Sequence, residues 1–174
     1  DADLPWLVDG AIAEIEAYLR PRMRVFEWGG GRSTVFFARR CASVVAIEHK
    51  AKWHRRVAAR LAQLDIRNAE LRLVLPGDPA ALPGAARTKP EYAQYADAIL
   101  AYPDRSFDLI CIDGRARVDC ATNALPRLAP GGLLVLDNSE WPKYDPIRAM
   151  TQGWPSRVHA NGVWETTIFR KPVS

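Results

Sequence analysis

A carboxylate stands two residues ahead of three consecutive glycines in Val25-Phe26-Glu27-Trp28-Gly29-Gly30-Gly31-Arg32-Ser33-Thr34. The apolar residues up to Trp28 read as a strand, and a helix-compatible stretch opens at Ser33. The glycines therefore join a strand to a helix N-terminus. Glycines there let a ligand approach the main chain, and the helix start offers free N–H groups to an anion. A plain glycine turn would use the same residues, so the surroundings must decide. The Gly-x-Gly-x-x-Gly spacing of a pyrophosphate cradle is broken, because Thr34 stands at the third glycine position. Glu27, at the strand tip, would repel a phosphate. The turn suits a ligand that turns a cationic side toward Glu27 and a carboxylate toward the backbone and hydroxyls of Gly29 to Ser33.

Acids recur at later strand ends. Glu48 closes Val44-Val45-Ala46-Ile47-Glu48, 21 positions after Glu27, near the ~20-residue spacing of an acid that binds ribose hydroxyls. His49 follows and could pack on a base or lie on the surface. Gly77 and Asp78 end a third apolar run; Gly77 could leave room for an adenine edge and Asp78 accept from its amino group, although Gly-Asp is also an ordinary turn. Asp113 ends the nearly continuous apolar run Phe107 to Ile112, as expected for a strand buried on both faces. It could hold an ammonium group or take a proton from an acceptor. Asp108, at the other end of that run, reads as structural. Asp137 and Asn138 end the next run. With Asp113 they present three side chains bearing oxygen, a set that suits Mg²⁺, Ca²⁺ or Mn²⁺; alternatively they shape the turn and bind water or substrate.

These positions need strands that alternate with helices. The pattern predicts a helix from Asp9, as cap, to about Leu19, then strands over 23–28, 44–48 and 71–75. Helices are expected over 33–41, 50–64, 91–102 and 116–128. Pro76 to Pro90 reads as a loop and Pro130-Gly131-Gly132 as a turn before a strand over 133–136. A helix near 145–152 precedes two short strands around Asn161-Gly162, a two-residue hairpin signal. The result is an α/β, doubly wound, mostly parallel sheet with one antiparallel strand at the C-terminus.

Composition agrees with one globular domain over 1–174, with 1–22 as an N-terminal helical extension. Charged residues make up 25% of the 174 residues, and every apolar run meets a charge, Gly or Pro too soon to span a bilayer. The acidic start carries no basic leader signature. The net charge is +4, but its densest stretch, Lys50 to Arg60, is spaced as the solvated face of a helix, without the aromatic platform of a nucleic-acid groove. Three cysteines without Cys-x-x-Cys spacing suggest neither a disulfide framework nor zinc, and fit a reducing cytoplasm. Arg115 and Arg117 could hold an anionic substrate, but read more simply as exposed residues at a helix start.

Taken together, these residues resemble the class I S-adenosylmethionine-dependent methyltransferases. Glu27-Trp28-Gly29-Gly30-Gly31 is similar to their first motif and Glu48 to their second. Gly77-Asp78, Ile112-Asp113-Gly114 and Leu128 to Asn138 are similar to later ones. The likeness runs from Met23 onward and is strongest to bacterial members. It implies a Rossmann-like, seven-stranded sheet with S-adenosylmethionine over the strand tips. The implied contacts are Glu27, Gly29, Gly30, Gly31, Ser33, Thr34, Glu48, His49, Gly77, Asp78 and Asp113. This cofactor, with an ammonium, a sulfonium, one carboxylate and no phosphate, matches the charge argument at Glu27. Asp113, Asp137 and Asn138 further resemble the set in cation-dependent catechol and caffeoyl-CoA O-methyltransferases, but Ala116 stands where those enzymes carry a basic residue. The implied reaction is methyl transfer to a small-molecule acceptor at oxygen, with Asp113, Asp137 and Asn138 as catalytic groups and a divalent cation as an optional partner. A membrane partner is not expected, nucleic acid is disfavoured, and a homo-oligomer is left open. Competing readings are an aminopropyltransferase, a nicotinamide enzyme, or a non-catalytic module of the same fold.

Overall fold

The computed structural model describes residues 3–78 and 87–174. Seven strands form one sheet: β1 (Arg24–Trp28), β2 (Ser43–Glu48), β3 (Ala69–Leu73), β4 (Phe107–Ile112), β5 (Leu128–Asp137), β6 (Ser156–Ala160) and β7 (Glu165–Arg170). Their spatial order is β3-β2-β1-β4-β5-β7-β6. Strands β1 to β5 are mutually parallel, and β7 runs antiparallel to both β5 and β6. The helices are α1 (Asp9–Tyr18), α2 (Arg32–Ala38), α3 (Ala51–Gln63), α4 (Ala93–Asp97), α5 (Arg117–Arg127) and α6 (Asp145–Met150). This is the Rossmann-like, doubly wound architecture expected from the alternation.

Period-two alternation in the strands explains the two layers. Phe26, Trp28, Ile47, Ile110 and Leu134 pack with residues of α4, α5 and α6. Val25, Val44, Ala46, Cys111 and Val135 point to the other face, against Ile12 and Ile15 of α1 and Phe36 and Phe37 of α2. Strand order reverses between β1 and β4, where connections leave to opposite sides. A crevice opens at the carboxyl ends of the strands at such a point.

Several elements differ from the sequence pattern for identifiable reasons. Asp9 lies in the first turn of α1, and Val8 is the capping residue, without a side-chain cap. Strand β3 spans 69–73 and not 71–75, because it pairs only with β2, whose last residue, Glu48, faces Leu73. The stretch expected as a helix over 91–102 is α4 flanked by 3₁₀ turns at Pro90–Tyr92 and Ala98–Ala101. Pro130-Gly131-Gly132 lies inside β5, where the register against β4 shifts between Phe107 and Leu109. The loop between β6 and β7 has four residues; Asn161 Oδ1 accepts from the Val163 and Trp164 N–H groups and thereby shapes it. Part of the proline-rich loop, 79–86, lies outside the described residues. All three cysteines are buried and free, and Asp108 caps the Arg24 N–H at 2.8 Å, as expected of a structural residue. Among the described residues no helix is long and apolar enough to cross a membrane.

Candidate active site

The glycine turn is held from three sides. Gly29 has φ +87°, and a Cβ there would lie 3.0 Å from the Asp113 main-chain carbon. Glycine is therefore required both for conformation and for the approach of the β1 tip to the β4 tip. Ser33 Oγ donates to Glu27 Oε2 at 2.6 Å, and Thr34 Oγ1 donates to Glu27 Oε1. Thr34 Oγ1 also accepts from the Gly31 N–H at 3.0 Å. From α3, Trp53 Nε1 donates to the Gly30 carbonyl at 2.6 Å. Glu27 thus ties the start of α2 to the strand tip and is buried. Burial pushes its carboxyl up to about 7, opposed by the Ser33 and Thr34 hydroxyls and reinforced by the charges of Asp113 and Glu48.

At the tip of β2, Glu48 Oε1 accepts from the His49 and Lys50 N–H groups at 2.9 and 2.8 Å. Burial raises this carboxyl and those two N–H groups lower it. The His49 ring stands edge-on to Tyr92 and Tyr95, with centroids 5.7 and 5.5 Å away. Neither of its ring nitrogens has a hydrogen-bond partner among the described residues. Burial, with Lys50 and Arg115 nearby, brings its pKa down to about 4, so the ring is neutral at pH 7.

A cavity of about 310 Å³ lies over these groups, lined by Gly29 to Ser33, Glu48, His49, Asp113 and Gly114. Trp6 and Trp53 wall it, their rings stacked at 6.0 Å. The expected residues Glu27 and Thr34 lie beneath the lining and support it. Gly77 and Asp78 do not line it; both are exposed, and the Gly77 N–H donates to the Glu91 carbonyl.

The tips of β4 and β5 converge on a guanidinium. Arg117, which is buried, donates to Asp113 Oδ1 at 2.9 Å and to the Asp137 main-chain oxygen at 2.6 Å. Both terminal nitrogens lie 3.5 Å from Asn138 Oδ1. Asp113 Oδ1 also accepts from the Gly114 N–H. Asp137 is buried, its Oδ1 accepts from Thr166 Oγ1 at 3.1 Å, and burial with the Asp113 charge pushes it up to about 6. Asn138 sits at φ +49°. Arg117 is thus buried and not an exposed helix-start residue; its i,i+4 spacing from Asp113 is the signal in the sequence for this pairing. Trp6 carried no local signal. It is brought to the site because Asp3 is held by Arg39 and Arg60 at 3.0 and 2.9 Å.

Residues 26–139 match a family described as a methyltransferase domain. The chain belongs to the S-adenosylmethionine-dependent methyltransferases. No curated protein matches it by sequence. Among solved structures it is similar to an rRNA methylase from Streptococcus thermophilus (TM-score 0.64, 16% identity, 91% of this chain and 92% of that one). It is also similar to a Streptococcus mutans protein assigned to the methyltransferases and solved with S-adenosylhomocysteine, SAH (0.65, 14%, 89% and 92%). A third is a precorrin-6y C5,15-methyltransferase from Geobacter metallireducens (0.64, 15%, 91% and 86%). At these identities the likeness is one of fold.

The methyltransferase cofactor, S-adenosylmethionine, fits the residues present. The glycine cradle lets a ligand reach the main chain, Glu48 lines the cavity with a carboxylate, and the buried His49 ring nitrogens make no hydrogen bond among the described residues, Nδ1 lying 3.4 Å from Glu48 Oε1. A divalent cation does not fit Asp113, Asp137 and Asn138. The guanidinium of Arg117 supplies the positive charge beside Asp113, and Asp137 Oδ1 is engaged by Thr166. Among the described residues no group of three or more His, Cys, Asp or Glu side chains is arranged for a metal.

Proposed function

We propose that the chain transfers the methyl group of S-adenosylmethionine to the hydroxyl of a small-molecule acceptor, with Asp113 as the group that takes the proton. The observation that carries this reading is the position of Asp113. It lines both the glycine-turn cavity and a second, larger cavity beside it, and its side chain is 44% exposed. When bound, S-adenosylmethionine supplies an electrophilic methyl group; the protein's part is positioning and deprotonation. Glu48 accepts from the ribose hydroxyls, the Gly29 to Ser33 segment receives the carboxylate end, and neutral His49 packs on the base. Arg117 holds the Asp113 carboxylate on one oxygen and leaves the other to receive the acceptor's proton. The three buried free thiols fit a reducing compartment such as the cytoplasm.

Calorimetry with S-adenosylmethionine tests the cofactor half. Glu48→Ala should weaken binding by about 1.5–3 kcal/mol, because a charge-assisted pair of hydrogen bonds is lost. An unchanged dissociation constant in the folded variant removes Glu48 from the site. For the chemical half, Asp113→Asn should lower kcat/KM on any hydroxyl acceptor at least about 100-fold, the usual scale of a general base. Retained turnover would sink that role.

A further inference from the structure

The second cavity has a volume of about 630 Å³ and shares Trp6 and Asp113 with the first. Its walls include Trp6, Trp141 and Trp164, which are 70, 40 and 50% exposed. Large indole faces left in water at a cavity mouth are costly unless something covers them. Its polar lining is supplied by Asp113, Asp137, Asn138 and Asn161, and among the described residues no Lys or Arg lines it, although the chain carries a net charge of +4.

We propose that this cavity is the acceptor site and that it takes a flat aromatic compound carrying a cationic substituent and the reacting hydroxyl. The inference rests on the methyl-transfer reading of the adjoining cavity and adds the class of acceptor. Indole faces attract cations through the ring quadrupole. The protein itself displays this: Arg32 lies over Trp6 at 5.2 Å and Lys143 over Trp141 at 4.3 Å. Lys143 lines a different cavity, together with Lys89, Arg115 and Arg117. That basic cavity touches the glycine-turn cavity only at Gly114, and the cations over Trp6 and Trp141 belong to residues that do not line the cavity of acids and indoles. Arg117 partly offsets the two aspartates from behind, through Asp113 Oδ1 and the Asp137 carbonyl. The lining toward the cavity stays acidic. An anionic acceptor, a nucleic-acid backbone included, would meet Asp113 and Asp137 at the point of transfer. A planar cation would stack on the indoles and place its hydroxyl by Asp113.

The test is titration of the full chain, saturated with SAH, by three phenolic or related probes followed by NMR. Tyramine is flat and cationic, 4-hydroxyphenylacetate is flat and anionic, and 4-(2-aminoethyl)cyclohexanol is cationic without an aromatic ring. Tyramine should bind at least about tenfold more tightly than either of the others. A Trp141→Leu, Trp164→Leu double variant, with SAH affinity unchanged, should lose at least about tenfold in tyramine affinity. Equal or preferential binding of the anionic probe would overturn the proposal, as would displacement of tyramine by a single-stranded RNA oligonucleotide. Equal binding to the double variant would overturn it too. Because SAH binding is measured in the same samples, failure here with SAH bound leaves the cofactor reading standing, whereas loss of SAH binding by the unaltered chain would defeat that reading itself.

Discussion

The two halves of the strand-tip crevice hold their acids in opposite ways. Around the glycine turn, Glu27 and Glu48 are buried and satisfied by neutral donors: the hydroxyls of Ser33 and Thr34, and the main-chain N–H groups of His49 and Lys50. At the tips of β4 and β5, Asp113 is partly exposed and paired with a full charge, that of Arg117. Glu27, with both oxygens taken by hydroxyls, supports the turn from beneath, and Glu48 lines the cavity. An ion pair fixes the Asp113 carboxylate in place at the edge of the cavity. The first arrangement suits binding, the second chemistry.

Removing the charged partner should give the largest effect. Arg117→Met deletes five hydrogen bonds, to the Gly114 and Asp137 carbonyls, Asp113 and Asn138, and leaves the Asp137 carbonyl without this donor. Breaking one side of such a pair costs about 3 kcal/mol, measurable as a lower urea midpoint. Arg117→Lys, which keeps charge but loses the planar fork, should fall between the two. A Met variant as stable as the parent would mean that Asp113 and Asp137 do not depend on the guanidinium, and the contrast between the halves would disappear.

The same contrast decides what was legible in the sequence. Partners of the first half are close in the chain: Glu27 with Ser33 and Thr34, Glu48 with the next two residues. Local pattern was enough to place them on one turn, and the alternation of strands and helices was enough for the fold. The second half is assembled across long separations. Arg117 reaches 20 positions to Asp137, Thr166 reaches 29 back to it, and Trp6 and Trp164 meet there from opposite ends of the chain. Nothing local in the sequence marks such encounters. Three oxygen-bearing side chains at adjacent strand tips therefore left a cation site and a turn or substrate role both open, and the Asp137 main chain turns out to be held by an arginine from the following helix. Gly77 and Asp78 failed to join the cavity for a related reason: β3 ends two residues earlier than its apolar run, so the turn after it stands outside.

Glu27 gives the next largest effect, and it depends on pH. Its carboxyl rises from 4.5 to about 7 on folding. Below 4.5 it is protonated in both states. As pH rises toward 7 the unfolded chain ionises there while the folded one does not, so stability falls by up to about 1.4 kcal/mol per pH unit. Glu27→Gln mimics the protonated acid and does not titrate. The variant should match the parent near pH 4.5 and become more stable than it by on the order of 2–3 kcal/mol near pH 7.5. The raised carboxyls of Glu48 and Asp137 act in both proteins and cancel in the difference. Urea midpoints at the two pH values measure it, and a difference that did not grow with pH would show that neutral donors suffice to keep Glu27 ionised.

The smallest effect concerns Trp53, which touches the first half only. Its indole N–H holds the Gly30 carbonyl at 2.6 Å while its ring stacks on Trp6. Trp53→Phe keeps most of the ring and removes the donor. A neutral, partly buried hydrogen bond of this kind contributes about 1 kcal/mol. If the turn is already fixed by Glu27, Ser33, Thr34 and the tight approach of Gly29 to Asp113, the variant should bind S-adenosylmethionine only about two- to fivefold more weakly, the equivalent of about 1 kcal/mol or less. Acceptor turnover at saturating cofactor should be unchanged, since Asp113 and Arg117 do not touch Trp53. A fall in affinity of 100-fold would mean that α3, and not the hydroxyl-bound acid beneath the turn, sets the shape of the cradle. Loss of turnover with affinity intact would couple the two halves through Trp6, the one indole that lines both cavities.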